Sequence, residues 1–119
     1  MAPVESYKDL KVWQAAMDMA CSIYEITKKF PTSEQYGLTM QLRRAAVSVP
    51  SNIAEGHRRT RPGFVHHVQI ALGSLAELET QLSLAERLKM CRAEDAVGVQ
   101  TDIAGVGKML HALLRALRD

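Results

Sequence analysis

Residues 41–59 read QLRRAAVSVPSNIAEGHRR, and this stretch decides the fold. Leu38, Leu42, Ala45, Val49 and Ile53 recur at helical spacing along it, so an amphipathic helix is predicted, with Pro50 in its interior. A proline there has no N–H for the carbonyl of Ala46 and crowds that turn, at about 3 kcal/mol in a helix interior. The helix is therefore expected to kink at Pro50, with the hydroxyls of Ser48 or Ser51 serving the freed backbone group. A functional site and a kink that merely fits the helix to its bundle both remain open.

Working outward, three further helices follow from the apolar rhythm. Between Asp9 and Lys29 there are two stripes: Leu10, Trp13, Met17, Ala20, Tyr24, Thr27, and Val12, Ala16, Met19, Ile23, Ile26, Phe30. Together they span about 200° of the helix, where a helix covering one side of a core needs nearer 100°. This helix either lies deep in its own bundle or meets a second subunit through the second stripe. Phe64, Val68, Ala71, Leu75, Leu78, Leu82 and Ala85 give a third helix capped by Thr60, with Pro62 in its first turn. Ala96, Val99, Ile103, Val106, Leu110, Leu113 and Leu117 give the fourth.

The predicted bounds are about 8–29, 33–56, 61–89 and 93–118, with Thr32 or Ser33 capping the second helix and Gly56 ending it in a left-handed turn. Short connections between long helices make successive helices antiparallel neighbours. The expectation is an all-α, up-down-up-down four-helix bundle forming a single domain over residues 1–119. Gly98, Gly105 and Ala112 recur every seven residues on the outer side of the fourth helix, where a second backbone can come close. With Val12, Met19 and Ile26, Gly98 and Gly105 are the expected oligomer interface; the alternative for the glycines is a weak surface helix.

Composition excludes several classes. With 47% hydrophobic residues and 4 prolines in 119, the chain is a folded domain, not a disordered tail. Its apolar runs are too short for a membrane span, and MAPVESYKDL has no apolar leader core, so a cytoplasmic location is expected. Cys21 and Cys91 are expected about 13 Å apart along the bundle, too far for a bridge. Net charge is only +2, but it is not evenly spread: residues 34–67 hold five basic and two acidic groups, and every other segment is balanced or nearly so.

Catalytic and metal chemistry find no support. No glutamate has a histidine three residues later, and HExxH, CxxC and a phosphate-binding glycine loop are absent from the sequence. His66 and His67 are adjacent and point about 100° apart on a helix, unsuited to one metal ion. Neither an enzymatic activity nor a cofactor is expected.

Beside its apolar seam the second helix carries Gln41, Ala45, Ser48, Asn52 and Glu55. Such a line suggests a hydrogen-bond network in which Arg43 or Arg44 pairs with Glu77 and Glu55 accepts from loop amides or Arg58. Packing that specifies the fold and a ligand pocket are both compatible with it.

The nucleic-acid-binding candidates are Arg43, Arg44, His57, Arg58, Arg59 and Arg61, with Lys8 and Lys11 at the same end as the loop. One subunit offers few phosphate contacts, but a ring would repeat them around an axis. In sequence, no aromatic lies among these arginines, so phosphate contact without base readout is expected. The alternative is a structural or protein-interaction scaffold whose arginines pair with acidic groups of neighbouring subunits.

Tyr7-Lys8-Asp9-Leu10 with Val12-Trp13, Phe30-Pro31, Tyr36-Gly37-Leu38, Gln41 with Arg43-Arg44-Ala45, Ser48 with Pro50, Asn52 to Gly56, and Gly73-Ser74-Leu75 with Glu77-Leu78 occur in this order. The ordered set resembles the small bacterial four-helix-bundle proteins of 23S ribosomal RNA intervening sequences, which include the accessory protein of diversity-generating retroelements. The resemblance implies a four-helix bundle assembled into a ring, a pentamer in known relatives. In the retroelement branch it also implies binding of nucleic acid and of a reverse transcriptase.

Overall fold

One apolar stripe from each of four helices meets at the centre of the molecule. The computed structural model describes residues 6–119; the first five, part of the stretch read as lacking a leader core, lie outside the described residues. The helices are α1 (Lys11–Thr27), α2 (Leu38–His57), α3 (Arg61–Arg87) and α4 (Ala93–Arg118), forming an all-α four-helix bundle with extents of 43 × 26 × 21 Å. Each helix packs on its neighbours in a closed square, α1 on α2 and α4, α3 on α2 and α4, with no close backbone approach across either diagonal. Cross-helix pairs descend one helix as they climb the next: Asn52 meets His67 while Ser48 meets Ser74. No described helix is long and apolar enough to cross a membrane.

Local chemistry explains the boundaries. Thr60 Oγ1 accepts from the Gly63 N–H at 3.3 Å and starts α3, with Pro62 in the first turn, where no donor is lost. In α4, Glu94 and Asp95 sit in the first turn and Arg115 and Arg118 in the last, matching the helix dipole. α3 ends with Lys89 at φ 60, and Met90 N–H reaches back to Ala85 O at 2.9 Å, a left-handed closure that usually takes glycine.

Several expectations are corrected here. The first helix begins at Lys11, not residue 8, because Tyr7–Asp9 form a separate 3₁₀ turn closed by Ser6 and Asp9, and Leu10 is extended. The second begins at Leu38, not 33: Thr32–Glu34 form another 3₁₀ turn, and Glu34 Oε1, not Thr32 or Ser33, takes the Leu38 N–H at 3.1 Å. Gly56 lies inside α2, and no described glycine has a positive φ. Its role is proximity, since a Cβ there would fall 2.8 Å from both His67 Cβ and Phe64 Cδ1. Pro50 is buried inside α2, and Ser48, one of the two serines expected to serve the freed carbonyl, instead engages Ser74 and Asn52.

The stripes of α1 are also reversed relative to the interface expected of them. Val12, Met19 and Ile26 are buried in the chain's own core with Ala16, Ile23 and Phe30, so they are not available to another subunit. The other stripe is divided: Ala20 and Thr27 are buried and Leu10 and Trp13 pack partly against the core, while Met17 and Tyr24 are 40% and 41% exposed. Gly98 and Gly105 sit on the open side of α4, where an added Cβ would meet nothing within 4 Å.

Candidate nucleic-acid interface and polar seam

The α2–α3 junction places His57, the last residue of α2, the loop residues Arg58 and Arg59, and Arg61, the first of α3, at one end of the bundle, and the fold brings other charges to them. The Arg58 guanidinium lies 5.8 Å from the Tyr7 ring centre, which locates the first turn and Lys8 there. Arg61 Nη1 donates to the Asp119 main-chain O at 3.3 Å, which locates the end of α4 there, with Arg115 and Arg118. This end therefore carries Lys8, Lys11, Arg58, Arg59, Arg61, Arg115 and Arg118 against Asp9, Glu55 and Asp119. Sequence reasoning missed Arg115 and Arg118, since only the topology brings the two chain segments together. It also missed Tyr7, an aromatic ring beside Arg58 that residue order alone does not reveal.

Arg43 and Arg44 do not join this rim. Fifteen residues of helix separate Arg43 from Arg58, roughly 22 Å at 1.5 Å per residue. Arg43 turns toward α1, where Nε donates to Thr27 Oγ1 at 2.9 Å, Nη2 to Tyr24 O at 3.4 Å, and the guanidinium lies 4.5 Å from the Tyr24 ring centre. The expected pairing of Arg43 or Arg44 with Glu77 is not present: adjacent helix positions diverge by about 100°, which aims Arg43 at α1. Arg44 and Glu77 only line a common groove of about 320 Å³ with Gln41, Ser48, Ser74 and Gln81. Gln81 Oε1 is buried there without a hydrogen-bond partner.

The polar seam between α2 and α3 is a connected chain. Ser48 Oγ and Ser74 Oγ are 2.8 Å apart, and Asn52 Nδ2 donates to Ser48 O at 2.8 Å and to Ser48 Oγ at 3.1 Å. A carbonyl can only accept, so the amide nitrogen of Asn52 faces Ser48 and its oxygen faces His67 Nδ1 at 2.9 Å. His67 must then carry a proton on Nδ1. Its Nε2 is 3.9 Å from Glu55 Oε1, which accepts from Arg59 at 2.7 Å, not from Arg58 as expected. The Glu55–Arg59 pair is half-exposed and contributes at most a few tenths of a kcal/mol, about that of a helix i,i+4 pair. Gln41, placed in this network by the sequence, is exposed and outside it.

Among the described residues, no group of three or more His, Cys, Asp or Glu side chains is arranged to hold a metal ion. Both cysteines are free; burial, then Glu86 and Asp95, push the Cys91 thiol above its ordinary range, while Cys21 is exposed. Lys28, hydrogen-bonded to Glu25, holds that carboxyl below its ordinary range.

Between α1 and α2 the surface is of the opposite kind. A groove of about 590 Å³ is lined by Trp13, Met17, Cys21, Tyr24, Val47 and Pro50, among others, and Val47 is 44% exposed. It continues past Tyr24 and Val47 into a second cleft near the start of α2.

The family model described as 23S rRNA-intervening sequence protein matches residues 8–112. A solved structure from Bacteroides thetaiotaomicron, described as a protein of unknown function from the S23 ribosomal protein family, is similar, with a TM-score of 0.79 and 25% identity. The match covers 87% of this chain and 97% of that one. No functionally curated protein matches.

Proposed function

Because the chain belongs to the 23S rRNA-intervening sequence protein family, we propose that it is a non-enzymatic, oligomeric bundle that binds RNA or DNA phosphates through the basic rim at the α2–α3 end. The observation that carries this reading is the gathering of seven basic side chains from three separate stretches of chain onto one end, against three acidic ones. Phosphate contacts of this type release counterions, so affinity falls steeply with salt and selects weakly among sequences.

Assembly multiplies the rim. The surface that supports it is the apolar groove between α1 and α2, not the buried stripe of α1. In a ring, each copy adds its arginines around the axis. A polymerase, a reverse transcriptase in the retroelement branch, is the partner to which such a rim would present a strand.

The test is a salt titration of RNA and DNA binding by the chain and by the Arg58→Ala/Arg59→Ala/Arg61→Ala variant, with the mass in solution measured beside it. The variant is expected to lose affinity at low salt and to flatten the dependence by roughly 0.7–0.9 of a log unit per phosphate contact removed. Absence of binding at low salt, or a variant that binds as well as the parent, overturns the reading. The same groove then favours a protein-interaction scaffold in which no nucleic acid is involved.

A further inference from the structure

We infer that the cleft at the start of α2 is a separate site for a nucleotide, with its base against Tyr36 and Met40 and its phosphate on Arg43 and Arg44. It lies at the opposite end of α2 from the basic rim and does not rest on that proposal. The cleft has a volume of about 590 Å³, within the range of about 300–1,000 Å³ typical of small-ligand sites.

Its lining is selective in composition. Tyr36, Met40, Arg43 and Val47 follow spacings of four, three and four, so they share one outward face of α2 and the turn before it. Tyr24 closes the side toward α1. Two guanidiniums and two phenols line the cleft, and no carboxylate does. An anion is therefore favoured, and so is a planar ring.

The positive groups differ in how they are held. Arg43 is pinned through Nε and Nη2 to Thr27 and Tyr24, and no hydrogen bond or ion pair among the described residues engages its Nη1. A guanidinium fixed beforehand loses little entropy when it meets a phosphate. Arg44 is exposed and has no ion-pair partner among the described residues. Tyr36 is 81% exposed, a large ring presented to solvent beside two arginines. Bases stack on aromatic rings and on guanidinium planes, whereas an acidic peptide would use the arginines and leave the phenols idle.

A free nucleotide and an unpaired residue of a strand share this chemistry. The experiment titrates the full Arg58→Ala/Arg59→Ala/Arg61→Ala chain, whose rim no longer competes for a strand, at low salt with AMP and with a short single-stranded oligo(dA), and repeats both with Tyr36→Ala and Arg44→Ala added. Both side chains are exposed, so the helical fold is expected to be retained, which circular dichroism checks. Loss of stacking on Tyr36 is expected to weaken binding by about fivefold or more, and loss of the Arg44 phosphate contact to weaken it and flatten its salt dependence. The rim variant at Arg58, Arg59 and Arg61 is expected to bind AMP unchanged. AMP bound as tightly as the oligonucleotide identifies a free-nucleotide site; binding of the oligonucleotide alone identifies an unpaired residue of a strand, and each supports the assignment. Failure of both probes to bind overturns it, as does binding that survives both substitutions. So do equal competition by poly-glutamate and a change of mass in solution on Tyr36→Ala, which would make the occupant a second copy.

Discussion

The two flanks of α2 differ in kind. Toward α3, at the hairpin end, the helix is pressed close by Gly56 and stitched by Ser48, Asn52 and His67, each polar side chain partnered within the chain. Toward α1 it presents Val47 and Pro50 beside Trp13, Met17 and Tyr24 in an open apolar groove. A seam whose hydrogen bonds are met by itself has little left to offer a ligand, while uncovered apolar surface has its energy still unspent. The polar stripe, which drew attention in the sequence, is thus hydrogen-bonded within the chain, and the side with Trp13, Met17 and Tyr24 is the one left partly uncovered.

The strongest way to break this contrast is Gly56→Ala. Overpacking against His67 and Phe64 outweighs the better helix propensity of alanine, and a loss of about 2 kcal/mol in denaturant unfolding is expected. An unchanged midpoint would mean that α2 and α3 are not in close register there. Asn52→Ala, which strips the partner from His67 Nδ1, is expected to cost about 1.5 kcal/mol in the same assay. Gly105→Ala, on the open side of α4, should have the opposite sign, a gain of roughly 0.7 kcal/mol. If that substitution instead lowers the mass in solution, α4 is an interface after all. Least in stability is Met17→Lys, within about 0.5 kcal/mol of the parent. Its effect belongs to light scattering, where it should shift the chain toward a single copy; an unaltered assembly would move the interface away from the α1–α2 groove.

Much of the fold is legible in the residues, and the misreadings share one cause. The seam of α3 and its Thr60 cap depend on local spacing and chemistry, and both stand in the structure. For α1, two stripes have the same rhythm, and periodicity fixes which residues share a face without fixing the rotation of the helix about its axis. Val12, Met19 and Ile26 therefore pass for an interface until α2 and α4 are set beside them. Arg43 fails for the same reason, since one residue of rotation sends it to Tyr24 in place of Glu77. The start of α2 is hidden because its cap comes from Glu34 in a preceding turn rather than from a residue at the boundary. Of the candidate rim, the loop arginines are visible in sequence, but Arg115, Arg118 and Tyr7 arrive only through tertiary arrangement.

Lys89 holds the left-handed position that closes α3, where a side chain other than glycine or asparagine costs roughly 1 kcal/mol. Any lysine codon is one nucleotide from an asparagine codon. A random library screened for heat resistance therefore has a one-step improvement waiting at this turn, at the end of the bundle opposite the rim, and relatives of this protein from organisms that live at higher temperature are the natural place to find it already made.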